Sequence, residues 1–253
     1  MTTFSVIGAG NLGASLIHSL QGSEYSFRYI YKRSKFPQFS SHIESDLGKV
    51  VSGSDVIFIS VQESRIGEVA GEIAKEKDIS GKIFFHTSNS LTSEELLPLK
   101  AHGGIIASFS PLQTLPGYLK NKDVFKGVNF LSEGDPDAVA LADRISVYLQ
   151  AKNIHIDPET KIFFHIGAVI SSNFLNSLLR FADIQIKKGG EYNYEVLLPL
   201  VKQTLRNIES KGLERALSGP SMRKESGIIE KHLEVLGDSE KELYKLLNEF
   251  IST

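Results

Sequence analysis

In the first part of the chain, short apolar runs alternate with stretches of helical period. Phe4, Val6 and Ile7 form a run that breaks into Gly8, Gly10 and Gly13, after which Leu12, Leu16, Ile17 and Leu20 recur at helical spacing. That order predicts a strand, a tight turn and a helix. Residues 27–31 alternate aromatic and β-branched side chains and read as a second strand. Residues 35–49 are polar and weakly periodic, with at most a short strand and a short helix. Residues 55–61 form a continuous apolar run of the kind buried on both faces of a parallel sheet, and Ile66, Val69, Ile73 and Ala74 place a helix after it. Strands at 82–85 and 104–109 flank a short helix at 93–100, and 128–131 and 153–156 add edge strands around a helix at 138–149.

Beyond Pro158 the texture changes. Strand-like alternation stops and helical patterns occupy 162–187, 194–209, 228–236 and 240–251, punctuated by glycines at their ends. The predicted fold is α/β: an N-terminal doubly wound Rossmann domain over 1–157, followed by an all-α domain over 158–253.

Composition narrows the classes of partner. Lys plus Arg number 28 against 30 for Asp plus Glu, so the formal net charge of -2 sets up no global field for nucleic acid or an anionic membrane. The expected partner is a small-molecule substrate, with no nucleic acid and no membrane. There is no cysteine, which excludes disulfides, thiolate nucleophiles and thiolate-bound metals. The histidines lack metal-ligand spacing, so no metal is expected. The first strand begins close to Met1, no apolar run approaches the ~20 residues that span a bilayer, and the expected location is cytoplasmic.

The glycine stretch, Gly8-Ala9-Gly10-Asn11-Leu12-Gly13, has the order that a dinucleotide pyrophosphate requires. Gly8 makes the turn, Gly10 lets the backbone approach the phosphates, and Gly13 lets the helix pack closely on its strand. The anion then meets unpaired N–H groups at a helix N-terminus. After the second strand an Asp or Glu would mark NAD, by accepting the ribose hydroxyls. This chain carries Lys32, Arg33 and Ser34 instead. A guanidinium and a hydroxyl suit a 2′-phosphate, which makes NADP the expected cofactor, against a reading of the same residues as a solvated basic turn.

In such a sheet, ligands lie beyond the carboxyl ends of the strands. There the chain places Val61 and Gln62, then His86 with Ser88, then Ser110 and Gln113. Val61, Gln62 and Ser88 are expected beside the cofactor. His86 is either a proton donor or a loop-bonding histidine. Ser110 and Gln113 offer neutral groups for orienting substrate, or else belong to a rigid turn. On the long helix, His165, Ser172 and Asn176 fall close to one face by helical period, with Asn173 to the side. They read as a cleft wall or as a packing network. Arg223, in a sharp Gly-Pro loop, suits a carboxylate on the substrate, or is a surface arginine.

These stretches in this order resemble a family of NADP-binding Rossmann-type oxidoreductases with a C-terminal helical domain of unknown function, related to pyrroline-5-carboxylate reductase and prephenate dehydrogenase. The resemblance rests on VIGAGNLG from Val6, KRS from Lys32, FFHTSNS from Phe84, SPLQT from Ser110, SSNF from Ser171, and SGPSMR from Ser218 with His232 behind it. The chain departs from the family pattern at Asn89, where glycine is usual, at Ser110, where histidine is usual, and at Ser218, Lys224 and Glu225. The resemblance implies a nicotinamide-dependent enzyme with its active site between the domains and a homodimer formed through the helical one. Val196, Leu197, Leu198, Leu200 and Val201 also exceed the apolar surface that a small bundle needs, which favours a dimer. The expected reaction is hydride transfer between nicotinamide and a small carbonyl or imine, with His86 or His165 as proton donor and Ser172 and Asn173 orienting substrate. The substitution at Ser110 motivates a second reading, an NADP-binding regulator or sensor without turnover. A third is a flavin or deazaflavin partner.

Overall fold

The computed structural model describes residues 1–8, 10–31, 37–117, 121–219 and 225–252. Eight strands form one sheet: β1 Thr2–Ile7, β2 Tyr25–Tyr31, β3 Ile43–Glu44, β4 Val56–Ile59, β5 Ile83–His86, β6 Ile105–Pro111, β7 Asn129–Gly134 and β8 Lys152–His155. Their spatial order is β3-β2-β1-β4-β5-β6-β7-β8, parallel except where β7 runs antiparallel to β6. The first six strands keep the doubly wound order, with its reversal between β1 and β4. That reversal opens the crevice in which ligands lie.

Helices α1 Asn11–Leu20 and α5 Pro136–Tyr148 cover one face, while α2 Leu47–Ser52, α3 Ile66–Ile73 and α4 Leu97–Lys100 cover the other. The period of two along each strand divides the side chains accordingly. Phe4, Val6 and Phe58 pack with Leu16 and Ile145, whereas Ile57, Ile59 and Phe84 pack with Val69 and Leu99. Phe58, Phe85, Phe109 and Phe130 form a row across four neighbouring strands with ring centroids 5.3, 5.5 and 4.5 Å apart. Each such aromatic contact contributes about 0.5–1.5 kcal/mol beyond its buried area. The continuous apolar runs of the sequence are these doubly covered strands.

The remainder is helical: α6 Lys161–Val169, a π-helical turn at Ile170–Phe174, α7 Leu175–Lys187, α8 Leu198–Lys211, α9 Leu213–Ala216, α10 Ser226–Val235 and α11 Asp238–Ser252. The chain divides into two compact units, Met1–Leu175 and Asn176–Thr253. The switch from alternating strands and helices to helices alone, at 157/158, thus precedes the division between units. In the second unit, Gln185 of α7 and Lys188 just after it bond Glu240 of α11, and His232 of α10 bonds Tyr244 of α11 through its Nδ1 at 2.7 Å.

Two expectations for the long helical segment need correction. The π turn interrupts the α-helical period, so the single face expected for His165, Ser172 and Asn176 does not continue through it. Also, the helical run Pro158–Lys187 is, by length and composition, apolar enough to cross a membrane, because His165, Ser171, Ser172 and Asn173 are few against their apolar neighbours. Its most apolar stretch is unburied, with Phe163, Ile170 and Phe174 exposed.

Candidate cofactor and active site

The glycine loop shows why each glycine stands where it does. Gly8 adopts φ +95°, and a Cβ there would lie 2.3 Å from the Ser60 carbonyl oxygen, so the β1 exit and the β4 exit pack backbone on backbone. A Cβ at Gly13 would lie 2.5 Å from the Gly8 carbonyl oxygen, which is the close helix-on-strand contact. At Gly10, by contrast, nothing lies within 4 Å of a Cβ. Gly10 is also the N-cap of α1 and supplies no capping side chain, leaving the first-turn N–H groups facing open space. An uncapped helix N-terminus behind an open glycine fits a dinucleotide pyrophosphate.

This loop forms one side of a cavity of about 780 Å³ built from the first unit. Gly8, Gly10, Asn11 and Leu12 line it at the β1 end. Tyr31, Val61, Gln62, Glu63, Arg65, Ser88, Asn89 and His165 are among its other lining residues. Gly13 packs beneath the loop rather than lining the cavity. Ala9, Lys32, Arg33, Ser34 and Arg223 lie outside the described residues.

Ser88 organises the reactive end. Its hydroxyl donates to Glu63 Oε1 and accepts from the Ser90 and Leu91 amides at 3.1 and 3.0 Å. Burial alone would raise the Glu63 carboxyl, but bonds from Ser88 and Ser90 and the charge of His165 outweigh it and hold the group below the usual range. Asn89 ties the β5 and β6 exits together by donating from Nδ2 to the Pro111 carbonyl at 3.1 Å. Its Oδ1 is buried without a partner, as is Nδ1 of His165.

His86 has a different setting. It is fully buried at the end of β5 and does not line the cavity. Its Nε2 lies 2.9 Å from the Thr92 carbonyl, which can only accept, and its Nδ1 accepts from the Ser88 amide at 3.2 Å. Both ring nitrogens are therefore used, and the ring is the neutral Nε2–H tautomer. Burial first, and then the Lys161 ammonium, push its pKa down to about 3. Of the two histidines expected as proton donors, this geometry makes His86 a support for the Ser88 loop and leaves His165 facing the cavity.

Ser110, Gln113, Ser172 and Asn173 are not brought to the cavity wall. Ser110 is buried within β6 with its hydroxyl unpartnered. Gln113 donates to the Val124 carbonyl at 3.0 Å. In the π turn the Ser172 hydroxyl donates back to the Ala168 carbonyl at 2.6 Å, a local bond that uses its only hydrogen.

Sequence reasoning missed Glu63 and Lys161. Glu63 follows directly on Gln62 at a strand exit, and that position was its available signal. Lys161, at the start of α6, is 1% exposed and donates to Ser108 Oγ of β6, with Glu133 of β7 3.5 Å away. Glu133 in turn accepts from the Ser93 amide and hydroxyl at 2.8 and 2.7 Å. Burial lowers the Lys161 pKa to about 8 against the opposing pull of Glu133 and Glu63. Nothing in the sequence separates this lysine from its exposed neighbours, because its burial arises from strands far away in the chain.

Residues 3–90 match the family described as NADP oxidoreductase coenzyme F420-dependent, and residues 128–251 match Domain of unknown function (DUF2520). Among solved structures, a Bacteroides fragilis protein provisionally named an NADP oxidoreductase is similar at 25% identity, TM-score 0.82, over 99% of this chain and 97% of its own. A Thermotoga maritima protein is similar at 22% identity, TM-score 0.76, over 98% and 96%. A pyrroline carboxylate reductase from Plasmodium falciparum with NADP bound shares the fold at 12% identity, TM-score 0.65, over 100% and 98%. No curated protein matches the chain in sequence. The two matches thus fall in this order on a fold similar to that of the Bacteroides fragilis protein, the first over β1 to β5 and the second over β7 to α11.

Proposed function

We propose that this protein is an NADP-dependent oxidoreductase that passes a hydride between nicotinamide and a small carbonyl or imine. The observation that carries the reading is the open, uncapped Gly10 end of α1 in the same cavity as Gln62, Ser88 and His165. Gly8, Gly10, Asn11 and Leu12 would hold the pyrophosphate, and Val61, Gln62 and Ser88 the nicotinamide end. Arg33 with Ser34 would take the 2′-phosphate. The bound cofactor supplies the hydride. The protein's part is to hold the reactants in attack geometry, exclude water and offer the His165 imidazole to the reacting atom.

Fluorescence titration with NADPH and NADH tests the cofactor. NADPH binding about tenfold tighter, a preference abolished in Arg33→Ala, is the expected outcome, and tighter NADH binding overturns it. A panel of ketoacids and cyclic imines then tests turnover, and His165→Ala should depress carbonyl reduction, whose alkoxide must be protonated, about 100-fold. The family description also names coenzyme F420, so the same titration includes that deazaflavin. Tight NADPH binding without oxidation across the panel would support the regulator reading, which rests on Ser110.

A homodimer is part of the same proposal. It is supported by the exposed Phe163, Ile170 and Phe174 and by Val196 and Leu200 beyond them. A cytoplasmic location, where reduced nicotinamide is available, belongs to it as well.

A further inference from the structure

We infer that the reactive end of the cavity is built for a cationic substrate, a protonated imine, rather than for a carbonyl acid. The inference rests on the proposed function and narrows it. Glu63 lines the cavity, and its carboxyl is held ionised by Ser88, Ser90 and His165. Beside it, the Asn89 Oδ1 atom is buried and unpartnered. An amide oxygen only accepts, and a carboxylate has about four lone-pair sites, which the bonds from Ser88 and Ser90 do not all fill. The unfilled capacity is therefore for donors. Among the described lining residues the arginine, Arg65, already pairs with Glu68 at 3.0 Å, and Lys161 is buried against Ser108 and Glu133 outside the cavity. A carboxylate ligand would bring only acceptors and a like charge, whereas an iminium brings an N–H and the complementary charge.

The chemistry closes with the residues present. An iminium gains one hydride at carbon, forming a C–H bond. The C=N π pair becomes the nitrogen lone pair, the positive charge is discharged, and reduced nicotinamide is oxidised. No proton has to enter. Carbonyl reduction, by contrast, leaves an alkoxide that must be protonated. The chain carries a serine at 110, buried in β6 away from the cavity wall, which cannot act as that acid. An acid at that position is dispensable for an iminium.

The test uses the full-length protein with NADP bound, titrated with cyclopentylamine, an ammonium at neutral pH, and with cyclopentanecarboxylate. Binding is read by NMR shifts. The ammonium is expected to bind about tenfold tighter than the carboxylate, a preference lost in Glu63→Gln and kept in part by Glu63→Asp. Equal binding, tighter carboxylate binding, no ammonium binding, or a preference that survives Glu63→Gln overturns the inference. Tighter carboxylate binding would point to Arg223 instead. The preceding NADP titration reads the proposed function separately: failure there removes the cofactor, while failure of the ammonium preference alone removes only the substrate class.

Discussion

Gly8 and Gly10 sit two residues apart in one loop, yet substitution should separate folding from binding. Gly8→Ala places a Cβ against the Ser60 carbonyl at a positive φ, so it should lower stability by roughly 2–3 kcal/mol. Gly10→Ala meets open space and an ordinary φ of -69°, so denaturation should change by less than about 1 kcal/mol. NADPH affinity should nevertheless fall about tenfold, because the methyl group occupies the space the pyrophosphate needs. Equal effects of both substitutions on stability would refute this division of roles. His86 supports a second prediction at this scale. It is neutral when folded, with a pKa pushed to about 3, and titrates normally when unfolded. Between those values the unfolded state binds more protons, so folding weakens as pH falls below about 6.5. Relative to His86→Gln, the wild type should lose about 2 kcal/mol between pH 7 and pH 5, measured by urea denaturation. A pH-independent difference would show that the ring is not buried neutral.

Among the elements, α6 carries the cavity's imidazole at His165 and is anchored one turn earlier by Lys161 on β6 and β7. Removing one member of a buried pair leaves the other charge uncompensated. Lys161→Met should therefore cost about 3–5 kcal/mol, and Lys161→Met with Glu133→Leu should recover most of it. If the single and double substitutions are equally destabilising, the pair does not anchor the helix. The sequence makes the central strands legible, because burial on both faces of a parallel sheet demands continuous apolar runs, whereas the two-residue edge strand β3 lies in a stretch too polar to place it. It also picks Gly8, Gly10, Gln62 and Ser88 for the ligand edge, since strand exits follow from strand positions. The π turn at Ile170–Phe174 is invisible to that reasoning. One widened turn changes the helix phase without any change in hydrophobic content.

For the whole molecule, the Pro158–Lys187 run leaves an apolar stretch exposed, with Phe163, Ile170 and Phe174 at its surface. Light scattering should give a dimer mass down to micromolar concentration, and a monomer at all concentrations would refute the homodimer. Recovery in the membrane fraction would instead favour the bilayer that the run's length and composition allow. Cofactor binding should be visible globally too. NADPH at about 100 times its dissociation constant should stabilise the fold by about 2.7 kcal/mol, if it binds the native state alone.

Sequence alone determined the order of elements and the glycine loop, because strand burial, helix period and the backbone needs of a phosphate turn are all local demands on residue type. It also placed His86 and His165 near strand exits and on a helix, but could not tell them apart. Folding separated them: the Thr92 carbonyl and the Ser88 amide use both nitrogens of His86, while one nitrogen of His165 is left unpartnered at the cavity. The same holds for Lys161 and Glu133, whose burial and pairing come from segments distant in sequence. Desolvation and hydrogen-bond partnership depend on what surrounds a side chain in three dimensions, and no local pattern of residues encodes that.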